Sequence, residues 1–274
     1  MSKITEYSEA TRFDANDVLI KDGTNGTKKI KFANAAPDIV GAVSGINHRN
    51  VYRGKNLGTE ITAAQKTAIS GGTFDDLFIG DYWTINSHKY VIADMDYWLN
   101  KGDTSFTKHH LVMIPGSSMY SAKMNESNTT EGGYVGSAMY TDNLDAAKSQ
   151  ISTDFGNMLL THREYLVNAV TNGRPSAGGW FDSNVELMNE IMAYGCPILT
   201  PGNDGSSIPT LYTTAKHQLA LFQLSPKDLA RETIWLRDVV SAAHFALVDA
   251  NGGANASGAS SSFGVRPVFP IGVA

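Results

Sequence analysis

A mixed α+β fold, two helices amid many short strands, is what this 274-residue chain predicts. Leu144, Ala147, Ile151, Phe155 and Met158 recur at three- and four-residue spacing, which marks one buried helix face. Elsewhere, short apolar or alternating runs stand between turn residues, the pattern of strands. Only 18% of the residues are charged while 26 are glycine, so long ordered loops are expected in place of a helical bundle.

Taken in order, Val18-Leu19-Ile20 and the alternating stretch Lys28 to Phe32 form a small hairpin about Asp22-Gly23-Thr24-Asn25-Gly26. Ala33-Asn34-Ala35-Ala36-Pro37 follows as a linker, so residues 1–40 form a separate segment. Two strands alone are marginal in water, so this segment is expected to pack on another chain or on copies of itself. Thr62-Ala63-Ala64-Gln65 is a capping box opening a helix that runs to about Ile69 and stops at Gly71-Gly72. Tyr82 to Ile85 and Lys89 to Ala93 are strands around Asn86-Ser87-His88. The aromatic stretch Asp94-Met95-Asp96-Tyr97-Trp98 and the strand His110 to Ile114 continue a β-rich core.

Asp142 or Asn143 caps the central helix, and a second helical stretch, roughly Leu160 to Val170, ends at Asn172-Gly173. Pro175 to Gly179 and Thr200 to Pro209 are loops by composition. Ser225-Pro226-Lys227-Asp228 supplies a cap, a first-turn proline and an acidic third position for a short helix. Three strands close the chain: Thr233 to Leu236, Phe245 to Val248 and Val265 to Phe269.

The formal net charge of −5 offers no basic footprint for nucleic acid or an anionic membrane. No apolar run approaches the roughly 20 residues of a spanning helix, and the polar opening MSKITEYSEATRFDAND is not expected to act as a secretory signal. Cys196 is the single cysteine, which rules out an internal disulfide and a thiolate metal cluster. Synthesis in a reducing cytosol, with release by lysis, is the expectation.

Ala250 to Ser262 are thirteen consecutive positions drawn from Ala, Asn, Gly and Ser alone. Such a run is either a flexible surface loop or a linker. Its place between an apolar strand ending at Val248 and Phe263-Gly264-Val265-Arg266-Pro267 favours a display loop pinned by two core strands.

Trp235-Leu236-Arg237-Asp238, Phe245-Ala246-Leu247-Val248, the small-residue run and Gly264-Val265-Arg266-Pro267 together resemble the C-terminus of C-type-lectin-fold variable proteins diversified by retroelements. Codons rich in adenine, such as those for Asn, mutate in that family to Ser, Gly, Ala, Asp or His. The resemblance extends over about Val51 to Gly272, including Gly72-Thr73-Phe74-Asp75-Asp76-Leu77 and Gly132-Gly133-Tyr134. The segment Ser8-Glu9-Ala10 to Ile30 resembles the opening of phage tail- or head-fibre proteins.

The resemblance implies a C-type-lectin-like domain over residues 46–274, with a variable region about 237–266, carried by a virion-attachment segment over 1–40. The ligand-binding residues it implies are Ser241, Ala242, Ala243, His244, Asp249, Asn251, Gly253, Ala254, Asn255, Ala256, Ser257, Ser260, Ser261 and Ser262. Arg237 and Arg266 become scaffold groups that hold the variable loop, with Asp238 a local partner for the first. The expected partners are a host cell-surface protein or glycan, other virion proteins, and copies of the chain in a homotrimer. Sugar-binding signatures that coordinate calcium, Glu-Pro-Asn, Gln-Pro-Asp and Trp-Asn-Asp, do not occur, and no acidic cluster suits that ion. No metal and no cofactor is therefore expected.

Other chemistries are weaker. His109-His110 are strand neighbours and point to opposite faces, so they cannot chelate together. Asp94 and Asp96 fit a glycosidase carboxyl pair loosely, but aromatic-flanked acids are more often hydrogen-bond acceptors of a core. Thr161-His162-Arg163-Glu164, read within a helix, lacks the His-Glu-x-x-His pattern, and Gly-x-Ser-x-Gly is absent. Tyr82, Trp83, Tyr97 and Trp98 are read as core rings in preference to sugar platforms. A binding protein without catalysis is the expectation. A polysaccharide-cleaving tail enzyme and a structural decoration protein stand as alternatives.

Overall fold

The computed structural model describes residues 18–21, 28–31, 48–200, 217–229 and 231–273, and their architecture is α+β. Near the start, β1 (Val18–Lys21) pairs antiparallel with β2 (Lys28–Lys31). The residues read as the turn and linker of that segment, and those of the 201–209 loop, lie outside the described residues. Then come α1 (Ala63–Ser70), β3 (Tyr82–Ile85), β4 (His88–Met95), β5 (Leu111–Pro115) and β6 (Tyr120–Lys123). The capping box forms on α1: Gln65 N–H donates to the Thr62 hydroxyl and Thr62 N–H to the Gln65 amide oxygen.

The periodic segment becomes α2 (Asp145–Phe155), with Ala147, Ile151 and Phe155 buried. Neither Asp142 nor Asn143 caps it, because a π-helical turn over Met139–Asn143 leads directly into it. The Asn143 amide instead donates to Lys123 O at 2.8 Å. Gly156, at φ +53°, ends the helix.

The stretch read as a second helix is a strand. β7 (His162–Thr171) and β8 (Arg174–Ser183) form a long antiparallel hairpin turning at Asn172-Gly173, where the sequence predicts a helix stop and a loop. The inward row of β7 is His162, Glu164 and Leu166, so polar side chains sit where apolar ones would reveal a period of two. Pro175 and Gly178-Gly179 suggest a loop, yet β8 is an edge strand of a two-stranded ribbon, where proline is tolerated. Gly178 is required sterically: a Cβ there would lie 2.6 Å from the Tyr165 ring.

The chain continues through β9 (Glu186–Leu187), α3 (Glu190–Tyr194), α4 (Ala220–Leu224) and a 3₁₀ turn over Pro226–Asp228 at the predicted short helix. Five strands close it where three were expected: β10 (Ile234–Val239), β11 (His244–Val248), β12 (Ala254–Gly258), β13 (Ser262–Val265) and β14 (Pro267–Ile271). Two five-stranded sheets result, ordered β12-β11-β10-β13-β6 and β3-β4-β5-β14-β9.

β10 and β11 are buried on both faces, which is why they read as nearly unbroken apolar runs. Ile234, Leu236, Ala246 and Val248 enter one core with Trp83, Tyr90, Ile151 and Phe269. Trp235, Val239, Phe245 and Leu247 enter a second with Met124, Tyr134, Leu144 and Val265.

Candidate binding surface

The residues singled out by the small-residue run gather around the β11–β12 hairpin, and the central part of the run is a strand, not a loop. β12 pairs antiparallel with β11 from His244↔Gly258 to Val248↔Ala254. Asp249 N–H donates to Gly253 O, and Ala259 N–H to Ala243 O, both at 2.9 Å. By the antiparallel alternation, Ala254, Ala256 and Gly258 then direct their backbone groups away from β11, along the free edge of the sheet. The Asn255 amide oxygen accepts from Ala256 N–H at 2.8 Å and covers part of that edge.

The candidate residues divide between the two ends of this hairpin. At one end lie Ser241 to His244 and Ser257 to Ser262. The Thr130 hydroxyl donates to Ser241 O at 2.7 Å, and Thr130 N–H to Ala242 O at 3.0 Å. Asn128 Oδ1 accepts from Ser260 N–H at 3.0 Å and from its hydroxyl at 2.7 Å. The Ser257 and Ser261 hydroxyls are 3.1 Å apart, and the Ser241 hydroxyl is 2.9 Å from His244 Nδ1. Gly173, at the tip of the β7–β8 hairpin, closes this end: a Cβ there would meet Ala242 N at 2.9 Å. At the opposite end, Asp249 Oδ1 accepts from Asn251 N–H at 2.8 Å and Gly253 N–H at 3.0 Å. The Asp249 carboxylate is thereby engaged in shaping a turn, with Gly252 at φ +85°.

Ala242, His244, Asn251, Gly253, Asn255 and Ser262 are exposed, and Ser241, Ala243, Ala254, Ala256, Ser257, Ser260 and Ser261 are half-buried. Ala259, inside the run, is fully buried in the second core. Asn128, Thr130 and Gly173 escape the sequence reading because they lie far along the chain and carry no motif. Their polar, glycine-containing neighbourhoods are the only signal.

Beneath the surface, Arg237 is paired with Glu164 and not with Asp238. Arg237 Nη2 donates to Glu164 Oε1 at 2.9 Å, while Asp238 accepts from Glu190 N–H at 2.7 Å. Burial pushes the Glu164 carboxyl up, but the Arg237 charge and bonds from His162 and Trp98 outweigh it and hold it at about 2. Arg266 donates to Pro115 O at 2.9 Å and Asp228 O at 2.8 Å. Both arginines are buried scaffold groups, but these bonds hold β7, the end of β5 and the 3₁₀ turn, not residues 250–262.

The other sequence candidates are engaged separately. Asp94 is fully buried and takes a bidentate pair from Arg49 together with Ala220 N–H at 3.0 Å. Asp96, at φ +54°, accepts from His110 N–H at 2.9 Å and lies 2.7 Å from His109 Nδ1. The two carboxylates are thus held by different partners. Trp83 and Tyr97 are core, Trp98 is buried, and Tyr82 packs at the core margin. His162 and Glu164 lie on β7, not on a helix. Among the described residues, no group of three or more His, Cys, Asp or Glu side chains is placed to hold a metal ion, and no helix is long and apolar enough to cross a membrane. Comparison with known proteins finds no matching family model, curated relative or solved structure.

Proposed function

We propose that this chain is a phage virion protein that recognises a host cell-surface protein or glycan, without catalysis, through the surface around the β11–β12 hairpin. In this reading, residues 46–274 form a C-type-lectin-like domain of the retroelement-diversified kind and residues 1–40 attach it to the particle. Trimeric display adds weak single contacts through avidity. One observation carries the reading. Ala242, His244, Asn251, Asn255 and Ser262 are exposed on the β11–β12 hairpin and its flanking turns, while β11 is buried from Phe245 to Val248. Such an arrangement lets surface chemistry change while the scaffold stays fixed.

The test uses particles whose chain carries Ala242→Tyr or Asn255→Tyr. Adsorption to host cells is expected to fall while the purified variants keep the wild-type unfolding midpoint. Unchanged adsorption in both variants, or in particles lacking the chain, makes it a decoration protein. Release of sugars from host surface polysaccharide by the purified chain makes it an enzyme. A near-copy of the 3′ end of the gene, differing at adenines and beside a reverse transcriptase, supports the diversification.

A further inference from the structure

A groove of about 540 Å³, within the range of small-molecule sites, opens between the β3–β4 turn, the β5–β6 connection and α2. None of its lining residues belongs to the candidate surface. β6 links the two regions: Tyr120 lines the groove, and Lys123 pairs with Ser262.

A buried carboxylate organises one wall. The Asp154 side chain is 0% exposed and accepts four hydrogen bonds: from Tyr90 Oη at 2.5 Å, Asn86 Nδ2 at 2.8 Å, His88 Nδ1 at 3.0 Å and Gln150 Nε2 at 3.1 Å. A carboxylate oxygen accepts, so a proton of His88 sits on Nδ1, and the neutral form of the ring then offers the Nε2 lone pair to a ligand. Likewise Gln150 gives its N–H to Asp154 and retains Oε1 as an acceptor. Both side chains line the groove, and His88 is 43% exposed.

The facing wall is also held. Ser118 N–H and hydroxyl both donate to Glu232, the former at 2.7 Å, while neighbouring Ser117 is exposed. Met119 and the Tyr120 ring add apolar surface, and the ring is fixed by its hydroxyl donating to Asn143 O at 2.7 Å.

A ligand for this groove must bring hydroxyl or amide donors around an apolar face. Lys89 lines the groove as well, its ammonium drawn to the Tyr82 ring at 3.9 Å. The carboxylates of Asp154 and Glu232 behind the walls oppose an anion, while a cation would find both carboxylates already supplied with donors. A neutral pyranose has both features: hydroxyls at its rim and C–H bonds across its faces. We propose that this groove is a saccharide subsite in which sugar hydroxyls donate to His88 Nε2 and Gln150 Oε1 while a C–H face lies on Met119 and Tyr120. It is separate from the β11–β12 surface, so either site can fail without the other.

The test is NMR titration of the purified full-length chain with the methyl glycosides of glucose, galactose, mannose and N-acetylglucosamine. Each is used at about 20 mM, above the millimolar Kd typical of one sugar in an open groove. At least one is expected to shift the His88 ring and Gln150 side-chain amide resonances. Ser117→Trp, which fills the groove from an exposed position, and His88→Gln, which keeps a donor for Asp154, are each expected to weaken that binding at least tenfold. Asn255→Tyr is expected to leave it unchanged. The proposal is overturned if none of the four sugars shifts His88 or Gln150, or if both groove variants bind as wild type. Shifts confined to residues 241–262 overturn it too, while supporting the surface proposed above.

Discussion

His110 shows how a single buried side chain couples this fold to pH. Its Nε2 accepts from Trp98 N–H at 3.1 Å, its Nδ1–H donates to Lys108 O at 2.9 Å, the Trp98 ring stacks on it and the Phe106 ring packs against it at a tilt. Burial pushes the imidazole down to about 3, against a weaker opposing effect of the Lys108 carbonyl. The unfolded chain takes up this proton near pH 6.5 and the folded chain does not. Stability from this group is therefore complete above about pH 6.5 and is lost as pH falls toward 3, at about 1.4 kcal/mol per pH unit. Denaturant unfolding from pH 6.5 to 4.5 is expected to cost the wild type about 2 kcal/mol more than His110→Gln. Parallel profiles would remove His110 as the cause. The sequence assigns His109-His110 a structural or surface role on the premise that they are strand neighbours, yet β5 begins at Leu111 and both imidazoles approach Asp96, at 2.7 and 3.7 Å. The sequence reading missed the Arg237–Glu164 pair, because 73 positions separate these residues and Asp238 is adjacent.

Elements were legible in proportion to how plainly their buried row is apolar. α2 carries Ala147, Ile151 and Phe155 on one face, and the spacing announces it. β7 turns His162 and Glu164 inward beside Leu166, so its strand period is disguised by a hydrogen-bonded polar pair. β12 has no period at all: Ala, Asn, Ala, Ser and Gly follow β11 by backbone pairing, and only the pairing reveals a strand. The run therefore contains positions that sequence treats alike and packing treats differently. Asn251→Tyr and Asn255→Tyr, both exposed, are expected to change stability by less than about 0.5 kcal/mol. Ala259→Tyr forces a ring into the second core and is expected to cost at least about 1–3 kcal/mol. Phe245→Ala, at a fully buried position, is expected to cost about 3–5 kcal/mol. Urea unfolding of the four variants checks the series. Equal losses at Asn255 and Ala259 would mean that the whole run is structural.

At the scale of the molecule, two cores are joined through α2, β10 and β11, whose side chains divide between them. The fold class could be read from the chain, but the layout of the sheets could not. β14, at the C-terminal end, inserts between β5 and β9, a pairing that joins residues 111–113 to 269–271. No local pattern specifies such a partner. The N-terminal hairpin stands apart from this arrangement: β1 pairs with β2, and among the described residues neither strand joins a five-stranded sheet. Two short strands also bury little area beside cores of this size. Removing residues 1–40 is accordingly expected to shift the thermal midpoint of the remainder by less than about 2 °C, since stability differences well under 1 kcal/mol move it no further in a chain this long. Calorimetry of the truncated and full chains measures this directly. A drop of many degrees would show that the hairpin contributes to the same cooperative unit as residues 46–274, and the boundary drawn between attachment segment and binding domain would have to move.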